Sequence, residues 1–278
     1  MAMGLPLARY PTFSTRSVDE AAARLAGALA DCRIVRAEER SAFHLEMRQA
    51  RFGDVALVWN RYATETELET PLDDDYVYCN FGGRAPTTQR WADGSIESAH
   101  DQCAVLQADR RYGIERPAGS ELVVLKIRRQ AVRRHLEAVA GRHVRGTLEF
   151  QPNVTTSEGP GRALKRTLEN VLQEFDDPAT LTGRPELVRA RQQALLDAVL
   201  ALPHSKSHAL RSARYHEVEP ALVHRVEDYL HAHQADAIGI ADVLRVAGCS
   251  RTTLFAAFRA HRGCSPLEFL TEQRLLRA

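Results

Sequence analysis

The chain has 278 residues, 44% of them hydrophobic and 26% charged, with a net charge of +1. That composition suits a globular protein with room for two domains, and the net charge counts against a protein that coats nucleic acid, although a site-specific binder needs only a local basic face. No run of 18 apolar residues and no leader-like N-terminal segment occur, so no membrane partner is expected and the location expected is cytoplasmic.

Ser17-Val18-Asp19-Glu20 has the form of a capping box, so a helix is expected from there to about Leu29. From Ala42 to Ile127 apolar and polar residues alternate, as in Asp54–Trp59 and Tyr76–Phe81, and Glu121–Ile127 is a compact β-rich run. Gly82-Gly83, Asp93-Gly94 and Pro117-Ala118-Gly119 supply turns between them. Short strands at that spacing predict a β-sandwich or barrel within residues 1–150. A basic helix follows near Arg128–Ala140 and reads as a solvated face.

The β-rich stretch also holds the aromatic residues Trp59, Tyr62, Tyr76, Tyr78 and Trp91, with Arg61 and Arg90 beside them in sequence. Aromatic walls with a cation suit an amphiphilic anion such as an aromatic or fatty carboxylate. Trp59, Arg61, Tyr78, Arg90 and Trp91 are therefore the effector-binding candidates. Alternation places Trp59 and Arg61 on one face of a strand, which makes that pair the preferred one. Core packing for the aromatics and a surface position for each arginine is the alternative.

Catalysis is not expected. His44 and His100 lack a histidine two residues away, so the HxH ligand set of a metal-binding barrel is missing. His231 and His233 are two apart on a helix and point away from each other. His204 and His208, four apart, fall in a solvated linker. There is no GxSxG or phosphate-loop signature. Cys32, Cys79, Cys103, Cys249 and Cys264 lack CxxC spacing and read as reduced thiols. No metal and no cofactor are expected.

Residues 151–203 hold two amphipathic helices. Leu164, Leu168, Val171, Leu172 and Phe175 line one face of the first; Leu187, Ala194, Leu195, Ala198, Val199 and Leu202 do the same in the second. Such helices either cover the β-domain or dimerise, and dimerisation is the preferred expectation, giving a homodimer. Residues 204–219, bordered by prolines and rich in His and Ser, read as the linker.

In residues 220–278 three helices are expected. One runs to about His233, one spans Ile240–Ala247, and one spans Arg251–Ala260. Gly248 stands where a sharp turn needs positive φ, and Ser250 where the next helix needs a cap. That is helix-turn-helix spacing, with the last helix entering a major groove. Charge agrees. Residues 216–249 hold two arginines against six acids, whereas residues 250–278 hold five arginines against two. Phosphate contact calls for cations on the recognition half.

Ile240-Ala-Asp-Val243, Ala247-Gly-Cys-Ser250, Arg251–Arg259, Gly263-Cys-Ser-Pro266 and Arg274-Leu-Leu-Arg-Ala278 together resemble the first helix-turn-helix of AraC/XylS transcription regulators. More loosely, Asp75–Tyr78, Gly82-Gly83 and Phe150-Gln-Pro152 are similar to that family's cupin-like effector domain. The resemblance implies an α+β protein: a β-sandwich or cupin-like barrel with flanking helices, then an all-α DNA-binding domain. Its implied partners are double-stranded promoter DNA and a small-molecule effector. It places Thr252, Phe255 and Ala256 toward base edges, with Ser250, Arg251, Thr253 and Arg259 flanking them. Leu244 departs from the family's small residue. Family members carry a second helix-turn-helix, and this chain ends at Ala278 inside the helix that would lead to it. A chain that reads half a site is then expected, or a sensor and dimerisation protein without autonomous DNA binding.

Overall fold

The computed structural model describes residues 6–38, 41–72, 75–83, 85–107, 111–177, 184–207, 222–234, 236, 238–249 and 251–275, apart from the side chains of 252, 253, 256 and 260. The chain divides into two compact units. The first comprises Met1–Ala138 and Arg142–Ser207; the second comprises Val139–Gly141 and His208–Ala278.

The first unit holds two antiparallel sheets. One has seven strands in the order β1 (Phe13–Thr15), β3 (Leu45–Phe52), β4 (Val55–Tyr62), β11 (Glu121–Arg128), β6 (Tyr76–Gly82), β9 (Gln102–Leu106) and β12 (Asn153–Thr155). The other has five, in the order β2 (Arg33–Ala37), β5 (Thr66–Pro71), β10 (Arg111–Arg116), β7 (Thr87–Trp91) and β8 (Gly94–Ser98). A core of Leu45, Met47, Val58 and Tyr62 from the larger sheet meets Leu68, Ile96 and Tyr112 from the smaller one. Helix α1 (Val18–Ala28) adds Ala21, Leu25 and Ala28 to that core, and the Glu20 N–H donates to its cap, Ser17 Oγ, at 3.3 Å. The α+β class is as the resemblance implies, and the sandwiched sheets are as the strand and turn spacing predicts.

The central strands of the large sheet are buried on both faces, because helices cover the side away from the core. Three helices follow the sheets: α2 (Arg129–Ala140), α3 (Gly159–Asp176) and α4 (Pro185–Leu200). Leu164, Leu168 and Val171 of α3 and Leu195 and Val199 of α4 are at most 2% exposed within one chain. Phe175 of α3 stacks on Phe52 with ring centres 4.8 Å apart, and Gln192 of α4 accepts from the Asp54 N–H at 2.9 Å. The preferred expectation of dimerisation through these apolar faces is therefore corrected. The same stripes are spent on covering the sheet, the other role the sequence allowed.

A second correction concerns the start of the linker. Residues 204–207 are held to the first unit: Ser205 N–H donates to the Glu149 carbonyl at 2.7 Å and Gln151 N–H to the Pro203 carbonyl at 2.9 Å. His204 is 8% exposed, its Nε2 donates to the Leu200 carbonyl and its Nδ1 accepts from Lys206 N–H, so it is a buried neutral imidazole and not a solvated one. Burial lowers its pKa accordingly. His208 lies outside the described residues.

The second unit is helical: residues 222–232 (α5), α6 (Ile240–Ala247), α7 (Arg251–Arg262) and α8 (Pro266–Leu275). Val226 and Leu230, Val243 and Ala247, Leu254 and Phe258, and Phe269 and Leu270 make one core, with Leu244 and Cys249 both packed at its margin. Gly248 ends α6 at φ 64°, and its N–H donates to the Leu244 carbonyl. Ser265 and Glu268 close a reciprocal capping box on α8, at 2.7 and 3.3 Å.

Candidate functional site

Between the two sheets of the first unit lies a small pocket of about 70 Å³. Register decides what faces it. Asn60 pairs with Leu122, and Val124 pairs with Asn80, so these four side chains of β4, β11 and β6 share one face of the large sheet. Tyr62 and Tyr78 continue the same face and line the pocket. From the small sheet come Leu68 and Thr70 of β5 and Ile114 and Arg116 of β10, and from the end of α1 come Leu25 and Leu29. The wall is mainly apolar, with Asn60, Asn80, Thr70 and Arg116 as its polar points. The Tyr78 hydroxyl donates to the Leu29 carbonyl at 3.2 Å, and burial pushes the Tyr62 phenol up and the Cys32 thiol to about 11.

Of the five effector candidates, the structure brings only Tyr78 to this pocket. Trp59 and Arg61 do share a face, but it is the opposite one. Trp59 is 1% exposed under the Arg48 guanidinium and lines a separate cleft with Leu168 and Leu172 of α3. Arg61 is exposed and lies 4.0 Å from both Glu46 and Glu121. Arg90 is exposed and pairs with Glu115 at 2.9 Å. Trp91 packs edge-on against Tyr112 at the margin of the core and does not line the pocket. The cation inside is Arg116, 2% exposed, which the sequence reasoning missed. Its signal was present: Tyr112, Ile114 and Arg116 are in phase on β10, so a charge occupies an apolar register position.

In the second unit, α7 carries Arg251, Phe255 and Arg259 at every fourth residue, the two arginines exposed. The Arg251 guanidinium lies 5.2 Å from the half-buried Phe255 ring. Ser250 and the side chains of Thr252, Thr253 and Ala256 lie outside the described residues. Two arginines that the charge balance counted toward nucleic acid are committed elsewhere. Arg262 forks onto Glu227 of α5, and Arg274 donates to the Gln234 and Asp236 carbonyls, fixing the chain between α5 and α6. Arg225 closes the end of α6 by donating to the Ala247 carbonyl at 2.9 Å. No helix among the described residues is long and apolar enough to cross a membrane.

A family model described as the AraC-binding-like domain matches residues 21–201. The chain is 27% identical over 242 residues to a probable thc operon regulatory protein of Rhodococcus erythropolis, covering 85% of this chain and 72% of that one. Among solved structures it is similar to the AraC-like transcriptional activator CuxR, at 16% identity and a TM-score of 0.48 over 96% of this chain and 94% of that one. It is also similar to the cupin domain of Schizosaccharomyces pombe Cnp3, at 10% identity and a TM-score of 0.27 over 34% of this chain and 64% of that one. With the domain model spanning more than half of its residues, the chain belongs to the AraC-like family of transcription regulators.

Proposed function

We propose that the chain is a DNA-binding regulator whose first unit holds a small-molecule effector and whose second unit engages promoter DNA through α7. The observation that carries this is the stripe of exposed Arg251 and Arg259 with the half-buried Phe255 between them, on the second of two helices joined at the left-handed Gly248. In a helix-turn-helix that helix lies in the major groove. The arginines there suit phosphates, and the Phe255 ring suits a thymine methyl. Ser250, Thr252, Thr253 and Ala256 complete the DNA-facing set.

The effector is a small organic molecule in the intersheet pocket, in keeping with the aromatic or fatty carboxylate expected from the sequence. Two copies act together in this assignment, each placing one α7 on a half-site. Their contact uses surface other than the buried stripes of α3 and α4. The test is titration of the full chain, at low salt, against DNA upstream of its own gene and of the adjoining operon. Retardation that exceeds an unrelated fragment supports the proposal. Equal or absent retardation overturns it, leaving a sensor without autonomous DNA binding.

A further inference from the structure

Arg116 is a charge that the fold itself does not answer. Its side chain is 2% exposed, its Nη2 donates to Asn60 Oδ1 at 2.7 Å, and its guanidinium carbon lies 4.8 Å from the centre of the Tyr62 ring. Its Nε has no hydrogen-bond partner, and no carboxylate among the described residues forms an ion pair with it. Burial pushes the guanidinium down to about 10, which leaves it charged at neutral pH. A buried charge held only by a neutral amide and a ring face is a standing cost, and evolution of a folded core ordinarily removes such a group or pairs it. The same pocket has a second unanswered atom, Asn80 Oδ1, also buried without a partner. Asn60 and Asn80 are carried by β4 and β6 on either side of β11, whose Leu122 and Val124 separate them in register. The rest of the wall is aliphatic, with Leu25, Leu68, Leu106 and Ile114 among its residues.

We propose that this pocket binds a small monocarboxylate, with Arg116 pairing the carboxylate and the aliphatic wall taking a compact hydrocarbon body. A guanidinium matches a carboxylate in shape and charge through paired N–H donors. One cation answers one negative charge, so a dicarboxylate or a phosphate dianion would leave a charge buried and unpaired. A neutral analogue would leave Arg116 as it is now. Arg116 is thus the residue that selects acid over amide or ester. The assignment rests on the first unit being the effector-binding unit, yet binding and signalling can be separated by experiment.

The experiment is calorimetry and thermal melting of the full chain with hexanoate and benzoate, each beside its own primary amide. The acids are expected to bind at least about tenfold more tightly than the amides, since a charge-assisted pair is worth roughly that much or more. Arg116→Met is expected to lose the acid preference while melting no lower than the parent without ligand, because it removes an unpaired buried charge. Arg116→Lys is expected to keep a weaker preference. Failure of both acids to bind at millimolar concentration, equal binding of acids and amides, or an acid preference retained in R116M overturns the site. The acid-to-amide ratio of the unaltered chain stands whether or not any variant folds. Promoter retardation is followed in the same samples. Acid binding without any change in retardation would end the effector assignment and keep the site. A carboxylate response of promoter binding that survives in R116M would do the reverse.

Discussion

Glu227 and Arg262 meet as a two-pronged ion pair, the guanidinium of α7 donating through both Nε and Nη2 to the two carboxylate oxygens on α5. Glu227 is 5% exposed, while Arg262 reaches it from the surface. The pair fixes the rotation of α7 about its own axis, and so decides which residues form its exposed stripe. The hydrogen bonds and charge of Arg262 hold the Glu227 carboxyl below its usual range. A carboxylate whose folded pKa is depressed stabilises the fold above its unfolded pKa, and that contribution is lost as pH falls through the lower folded value. Glu227→Gln should therefore cost on the order of 1–2 kcal/mol at pH 7. The gap between variant and parent should close below the unfolded carboxylate pKa. Urea melts at neutral and acid pH, followed by helical circular dichroism, check both statements; a gap independent of pH would refute the linkage.

Removing both exposed arginines of α7 separates phosphate contact from folding. The double variant R251A/R259A should melt like the parent, since neither side chain is buried. Its promoter affinity should fall, and the slope of log affinity against log salt should shrink by about 1.8, or about 0.9 for each phosphate no longer neutralised. Fluorescence anisotropy over a salt series measures this, and an unchanged slope would place the DNA contacts elsewhere.

Arg61→Ala and Arg90→Ala should leave ligand binding in the first unit as it is. Both side chains are on the outer surface, near Glu46 and Glu121 in one case and paired with Glu115 in the other. Exposed pairs of this sort contribute little, within about 1 kcal/mol. Calorimetry on the two single variants is the check, and loss of binding in either would restore the assignment made from sequence.

The contrast between these arginines and Arg116 shows where the sequence was legible. Alternation identifies strands, and in β4 it correctly groups Trp59 with Arg61. It cannot say which face is inside when both faces are covered, and Val55–Asn60 are buried without a break. Only the register with β11 and the packing of α3 and α4 reveal that the Asn60 and Tyr62 face is the lined one. On β10 the clue was local, a charge in phase with Tyr112 and Ile114, but its phase was hidden by Arg111 and Glu115 at the alternating positions. The helices on either side of Gly248 were legible to within two residues, because the turn between them depends on backbone chemistry that only a few residue types satisfy.

Gly248 is the clearest of those. At φ 64° it lies in the left-handed region, and a Cβ added there would meet nothing within 4 Å, so the cost of a side chain is that of the backbone alone. Gly248→Ala should destabilise the second unit by about 1 kcal/mol. Because the strain falls on the turn between α6 and α7, promoter affinity should drop by more than the stability loss explains. Comparing anisotropy with urea melts for this variant separates the two; parallel losses would mean that the turn sets stability only.

The anchoring of residues 204–207 has a mechanical meaning. Phe150 bridges to His204 across a short antiparallel pairing, and the Gln107 side chain grips both the N–H and the carbonyl of Phe150, at 3.3 and 2.9 Å. Gln107 directly follows Leu106, which forms part of the pocket wall. The point at which the polypeptide leaves the first unit is therefore clamped to the strand end next to the intersheet pocket. An occupant of that pocket would bear on the same strand end that holds residues 204–207 in place.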